Sequence, residues 1–135
     1  MSSVARARTL TVLPRLDGDR KARVVQFLYE SGLIAGGRRV LVLRGADLRD
    51  AYLRKANLIG ANLREAYLSG AELYGTNLSR AILGEAKGIT NEKLEQQTNF
   101  LKGAIETSFL EGATMPNGQK YEDWLKDKEK RQQDE

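Results

Sequence analysis

The chain has no histidine and no cysteine in its 135 residues. This removes imidazole and thiolate ligands, structural zinc, Cys–His nucleophilic pairs and the usual general base near neutral pH. Disulfides are excluded too, which fits any redox compartment and marks none. The remaining acid–base candidates are carboxylates such as Asp47, Asp50 and Glu72, and they need a pocket and a base beside them to act. Gly36-Gly37 is not a phosphate loop, because no Gly-Lys-Ser/Thr follows it. Asn77-Leu78-Ser79 is formally a glycosylation sequon, but its Leu falls on a core position. Tyr52, Arg54, Lys55 and Tyr74 are the basic and aromatic group most suited to recognition, of the kind that meets acidic partners or a nucleic-acid backbone. The plainer reading of the same four is a solvated face with an Arg–Tyr cation–π pair.

What positions these residues is a repeat. Leu recurs every five positions at Leu43, Leu48, Leu53, Leu58, Leu63, Leu68, Leu73, Leu78 and Leu83. Two residues before each Leu from the second onward stands a small side chain: Ala46, Ala51, Ala56, Ala61, Ala66, Ala71, Thr76 and Ala81. The unit is Ala-x-Leu-x-x. A period of five fits neither a helix nor a flat strand, since it would carry Leu around the first and alternate it across the second. A chain that turns after each unit satisfies it, keeping Ala and Leu inward and the other three residues outward. An interior built this way uses small aliphatic residues, in keeping with an aromatic content of 7%. A side chain larger than Ala at the first inward position would overpack. Thr76 is the mild departure, and its hydroxyl needs a backbone partner.

The sequences ADL, ANL, ANL, AEL and TNL within Gly45–Leu78 resemble the consensus of the pentapeptide-repeat family. The resemblance covers residues 41–85 and implies an all-β solenoid with helical caps. The implied fold is a right-handed quadrilateral β-helix with four pentapeptides per coil, here about three coils. Coils in register are spaced like neighbouring strands, about 4.8 Å. Residues 20 apart then stack, which places Asn57 under Asn77, Arg54 under Tyr74, Tyr52 under Glu72 and Glu65 under Glu85, and gathers Tyr52, Arg54, Lys55 and Tyr74 on one face.

Open solenoid ends need covering. Upstream, Asp17 reads as an N-cap for a helix over 18–31 with Val24, Val25, Leu28 and Tyr29 on one side, ending at Gly32, after which Leu33 returns onto Leu28. A turn at Ala35–Arg39 leads through Val40-Leu41-Val42 into the first coil. Arg8–Ile34 also looks like the cap that precedes the repeats in a subset of bacterial, notably cyanobacterial, members. Some of those carry transmembrane helices upstream; the Met1 start here fits a soluble member or a trimmed one. Downstream, Gly88 stands where the next Leu is due and Thr90 or Asn91 caps a short helix through Gln97. Phe100, Ile105, Leu110 and Met115 then restore the spacing of five, with Ala113 two before Met115. An alternative register aligns Leu101–Ala104 with Leu110–Ala113 at an interval of nine. Pro116-Asn117-Gly118 is a turn, and Tyr121, Trp124 and Leu125 form one face of a closing helix. Trp124 either lids the last coil or anchors an interface, and Lys126–Glu135 is expected to fray. The organisation is thus a basic arm and capping helix at 1–40, regular repeats at 41–88, a helical insertion and resumed coil at 89–118, and a capping helix with charged tail at 119–135.

Formal charge is +5 over 1–40, +2 over 41–88 and −3 over 89–135. The expected function is a non-enzymatic scaffold or protein-interaction module without cofactor, metal or small-molecule substrate. An alternative is a membrane-peripheral protein whose Arg6, Arg8, Arg15, Arg20, Lys21 and Arg23 meet anionic lipid, at about 1 kcal/mol each near such a surface. Localisation is accordingly cytoplasmic or membrane-peripheral. The resemblance also brings in a DNA-mimicking, topoisomerase-protecting reading. It is the least favoured, and nucleic acid is an unlikely partner, because mimicry needs an acidic surface and more coils.

Overall fold

A computed structural model describes residues 3–31, 43–98 and 109–134. The repeats are built on one local device. The N–H that opens each unit donates to the carbonyl of the preceding core Leu, as in Ala51 to Leu48 (3.1 Å), Thr76 to Leu73 (3.1 Å) and Ala86 to Leu83 (2.9 Å). The third residue of every such turn has positive φ, from Gly45 at 73° through Asp50 at 61° and Lys55 at 58° to Glu85 at 61°. Positive φ at that position is the signature of a type II turn. Five of these residues, Asp50, Lys55, Glu65, Arg80 and Glu85, are not glycine, at about 1–2 kcal/mol each. Each offsets that cost by donating its N–H to the coil above, as Lys55 does to Tyr74 O (2.8 Å) and Glu65 to Gly84 O (3.0 Å).

With a turn every five residues, little straight chain is left between corners. Among the described residues the pairing therefore consists of isolated parallel bridges rather than extended strands: Asp47 with Tyr67, Tyr52 with Glu72, Asn57 with Asn77, Asn62 with Ile82 and Tyr67 with Lys87. The separation is 20 residues at each bridge, or four pentapeptides per coil. Side chains alternate accordingly. Leu43, Leu48, Leu53, Leu58, Leu63, Leu68, Leu73, Leu78 and Leu83 are buried, as are Ala46, Ala51, Ala61, Ala66, Ala71 and Ala81, while Ala56 is half-buried. The buried Thr76 hydroxyl donates to Leu53 O at 2.7 Å, which satisfies a group that would otherwise be costly there.

Below the first coil lie α1 (Ser3–Val12), a 3-10 turn (Leu13–Arg15) and α2 (Gly18–Glu30). The basic arm is helical over α1, and Arg6 Nη2 ties it to Arg44 O at 3.2 Å. Asp17 caps α2 by accepting from Arg20 N at 2.9 Å. Gly18 touches the ladder itself: its carbonyl accepts Tyr52 N–H at 3.0 Å, and a Cβ there would meet the Asp50 carbonyl oxygen. Val25 and Leu28 then pass beneath the core. Lys21, counted by sequence among the lipid-facing cations, is 4% exposed. Its Nζ donates to Asp47 Oδ1 (3.2 Å) and Arg49 O (2.9 Å), so a salt bridge pins the helix to the coil. Gly32–Val42, including the helix stop, the Leu33 contact and the turn, lies outside the described residues.

At the other end Gly88, with φ of 82°, replaces the expected Leu, and Ile89 is buried beside it. Thr90 Oγ1 caps α3 (Asn91–Thr98) through Lys93 N at 3.2 Å. The Gln97 side chain accepts Leu73 N–H at 3.0 Å, taking the place of a coil carbonyl. Beyond it the ladder resumes: Ile82 bridges Thr114, and Leu78 N and Leu83 N donate to Phe109 O and Thr114 O, each at 2.8 Å. The partners are now 32 positions apart instead of 20, so the insertion adds 12 residues. Leu110, Ala113 and Met115 are buried in this register; Phe100, Ile105 and Leu101–Ala104 lie outside the described residues. A turn closed by Gly118 N to Met115 O (2.8 Å) reverses the chain, and Lys120 pairs antiparallel with Thr114. α4 (Tyr121–Gln133) follows, with Tyr121 and Trp124 buried against the last coil. The expected fraying of Lys126–Glu135 is not what is seen, because the helix continues to Gln133. Lys128 reaches Glu95 of α3 and lies 5.3 Å over the Trp124 ring, and Lys130 and Arg131 favour the helix C-terminus.

Candidate functional site

The ladder sets the recognition face one rung at a time. Tyr52 lies one bridge below Glu72, and Lys55 N–H bonds to Tyr74 O, which locks the unit 51–55 under the unit 71–75. Arg54 is held from above by two groups. Its guanidinium carbon is 5.6 Å from the Tyr74 ring centroid, and its Nε is 3.1 Å from Glu72 Oε2. Tyr52 (54% exposed) and Tyr74 (44%) present their rings to solvent. The four residues singled out from sequence thus lie together, with Glu72 among them as an acidic neighbour.

Three of the four, Tyr52, Arg54 and Lys55, form one wall of a groove of about 410 Å³. Ala22, Val25, Gln26, Tyr29 and Glu30 of α2 form the other, and Ala56 and Asn57 extend the first. Tyr74 sits above it and is not part of the lining. Sequence reading missed the α2 contribution: Tyr29 was placed on the apolar side of the helix, but nothing in the spacing showed which repeat unit that side would meet.

The outward arginines are less free than their number suggests. Arg44 pairs with Glu65 (2.7 Å), Arg49 with Asp47 (2.6 Å) and Arg54 with Glu72 (3.1 Å). Pairing of this kind cancels charge locally. Lys55 has no ion-pair partner among the described residues. Asp47 was expected on an outer face and is instead 8% exposed against Lys21, in the same unit as Asp50. The Arg49 side chain foremost, against the opposing effect of burial, and then the Arg49 N–H and Lys21, hold its carboxyl well below the usual carboxylate range. Arg44 lowers Glu65 in the same way. Asp47 therefore stays ionised at neutral pH and has no proton to give.

A second, more open concavity of about 720 Å³ lies between the start of α3 and α4, lined by Thr90, Asn91, Asn117, Trp124 and Arg131 among others. Asn91 Oδ1 accepts Asn117 N at 3.3 Å, while its buried Nδ2 has no partner among the described residues. Trp124 is buried here, as a lid of the core. Among the described residues no helix is long and apolar enough to cross a membrane.

No curated protein and no solved structure matches the chain significantly. A family model described as pentapeptide repeats (8 copies) matches residues 43–84. Such repeats in general build a right-handed β-helix and serve as structural or interaction modules, mostly without enzymatic activity. The match coincides with the five-residue turns and the 20-residue ladder, and residues 43–84 of the chain are pentapeptide repeats.

Proposed function

We propose that this protein is a non-enzymatic scaffold, a right-handed quadrilateral β-helix of about three coils that offers Tyr52, Arg54, Lys55 and Tyr74 to a protein partner. The observation that carries this reading is the fixing of that face by the ladder. Arg54 is clamped by Tyr74 and Glu72 from the coil above, so little side-chain freedom is lost when a partner docks. Aromatic rings and Arg are also the residues that dominate binding energy at protein interfaces. The test is capture of a partner from source-cell lysate by the intact chain against a Tyr52→Ala, Arg54→Ala, Lys55→Gly, Tyr74→Ala variant of matched stability. Capture of the same proteins by both would end the assignment to this face.

A second reading, contact with an anionic membrane, draws on α2. Arg20, Arg23 and Phe27 share one helical stripe, and Phe27 is 63% exposed. Lys21 no longer counts toward it, and Arg23 is paired with Asp19 at 3.0 Å. Co-sedimentation with phosphatidylserine vesicles at low and high salt separates this reading from the first. The DNA-mimicking reading draws no support from repeats that carry +2 over 41–88.

A further inference from the structure

The ladder register shows which backbone groups of the first coil face away from the coil above. In the second coil the residue between Ala and Leu gives its N–H downward and takes a Leu N–H on its carbonyl: Asn77 N donates to Ala56 O, and Leu58 N to Asn77 O, both at 2.9 Å. The residue after Leu also accepts from below, as Tyr74 O does from Lys55 N at 2.8 Å. The same groups of the first coil point toward α2. Arg44 O takes Arg6 Nη2 (3.2 Å), Arg49 O takes Lys21 Nζ (2.9 Å) and Tyr52 N–H finds Gly18 O (3.0 Å), and beyond Tyr52 N–H the substitution stops among the described residues. The carbonyls of Tyr52 and Arg54 and both backbone groups of Asn57 have no partner among the described residues. Tyr52, Arg54 and Asn57 all line the groove beside α2.

We propose that this groove is a peptide-docking site, where an extended segment of a partner protein continues the ladder beneath Arg54–Asn57 and sets one carboxylate against Lys55. The proposal rests on the interaction-module reading and specifies its contact. An unpaired edge is a template for a further strand, and strand addition draws affinity from main-chain bonds and specificity from side-chain pockets. About 410 Å³ lies within the usual range for a binding cleft, roughly 300–1,000 Å³. Tyr29 and Tyr52 give it amphipathic walls. Lys55 supplies a cation without a carboxylate partner among the described residues. Glu30, whose Oε1 accepts from Gln26 Nε2 at 3.0 Å, stands on the helix lip. It opposes a polyacid or a phosphate chain, and Glu72 already occupies Arg54. The fitting ligand is therefore an extended peptide with a single carboxylate between small or β-branched residues, not a nucleic-acid strand.

The probe is a labelled, end-capped heptapeptide of alternating valine and threonine with a central glutamate, titrated by fluorescence anisotropy into the full chain. Saturable binding is expected, weakened about tenfold by Lys55→Glu and about tenfold by N-methylation of the peptide at the residues flanking its glutamate, which removes one or two backbone bonds. Hydrogen exchange of the Asn57 amide should slow on binding. No saturable binding at millimolar peptide, equal affinity for the N-methylated peptide, or tighter binding of a single-stranded oligonucleotide would each overturn the proposal. A lysate partner lost from the quadruple variant, together with indifference to the peptide, would reject the groove and leave the face as the binding surface.

Discussion

Replacing Asp47 with Asn should destabilise the protein more than replacing Lys21 with Met, although the two side chains share an ion pair at 3.2 Å. The asymmetry follows from their other partners. Asp47 keeps the Arg49 guanidinium (2.9 and 2.6 Å) and the Arg49 N–H (3.1 Å) when Lys21 is gone. Lys21, deprived of Asp47, keeps Arg49 O at 2.9 Å and no carboxylate. Removing one member of a buried pair costs about 3–5 kcal/mol when the other is left uncompensated. Asp47→Asn belongs in that range. Lys21→Met replaces an ammonium with an apolar chain of similar length and leaves a still-paired carboxylate, so about 1–2 kcal/mol is expected. The double variant should fall short of the sum by about 1–3 kcal/mol, because both changes remove the same contact. Urea unfolding at neutral pH, followed by circular dichroism, measures all four proteins; with m of about 1–3 kcal/mol/M a difference of 2 kcal/mol is easily resolved. Equal costs for the single changes, or strict additivity, would refute the claim that this pair fastens α2 to the first coil.

The same carboxylate gives a pH dependence. Its folded pKa is depressed, so its stabilisation is fully present above the ordinary Asp value of about 3.9 and is lost as pH falls further toward the folded pKa; in that window Asp47→Asn should show a flatter stability profile than the wild type. In the core, Leu63→Ala should cost about 2–5 kcal/mol and Arg64→Ala less than about 0.5 kcal/mol by urea denaturation, since Leu63 is buried between coils and its neighbour is exposed. Equal effects would undo the inward and outward assignment. Gly45→Ala and Gly88→Ala separate backbone strain from packing. Both have positive φ, but a Cβ at Gly45 meets nothing within 4 Å, whereas at Gly88 it meets the Ser69 backbone at 2.7 Å. The first should lose about 1 kcal/mol and the second clearly more, and thermal melts reversing that order would count against the Gly88–Ser69 packing.

The interior was legible because one side-chain rule repeats without interruption: Leu at every fifth residue, Ala two before it. The left-handed turn position was not. It is occupied by Gly45 and Gly60 but also by Asp50, Lys55, Glu65, Arg80 and Glu85, so no residue type marks it. What makes the conformation tolerable is a bond to a residue 19 positions on, or 31 across the insertion for Arg80 and Glu85, which single-residue preference does not register. Lys21 was unreadable for a related reason. Its spacing is that of an exposed cation, and only the arrival of Asp47 and Arg49 O from the coil accounts for its burial. At the recognition face the repeat coil was visible in the sequence, because its two layers are 20 residues apart. The α2 wall was not, since no periodicity relates Tyr29 or Gln26 to Tyr52.

The interior and exterior of this fold answer to different constraints, and the charges show it. Inward positions accept Leu, Ala or a satisfied Thr76 and little else, while the position after each Leu carries Arg44, Arg49, Arg54, Ile59, Arg64, Ser69, Tyr74, Ser79 or Gly84 beside a turn residue whose φ stays between 58° and 73°. Where that side chain is Arg, three of four are matched to a carboxylate in the same unit or the coil above. Where these arginines are matched, the surface has little charge left with which to select a partner. Selection then falls to the places where matching lapses, and the groove beside α2 combines two such lapses, the Lys55 ammonium and the backbone edge at Arg54–Asn57.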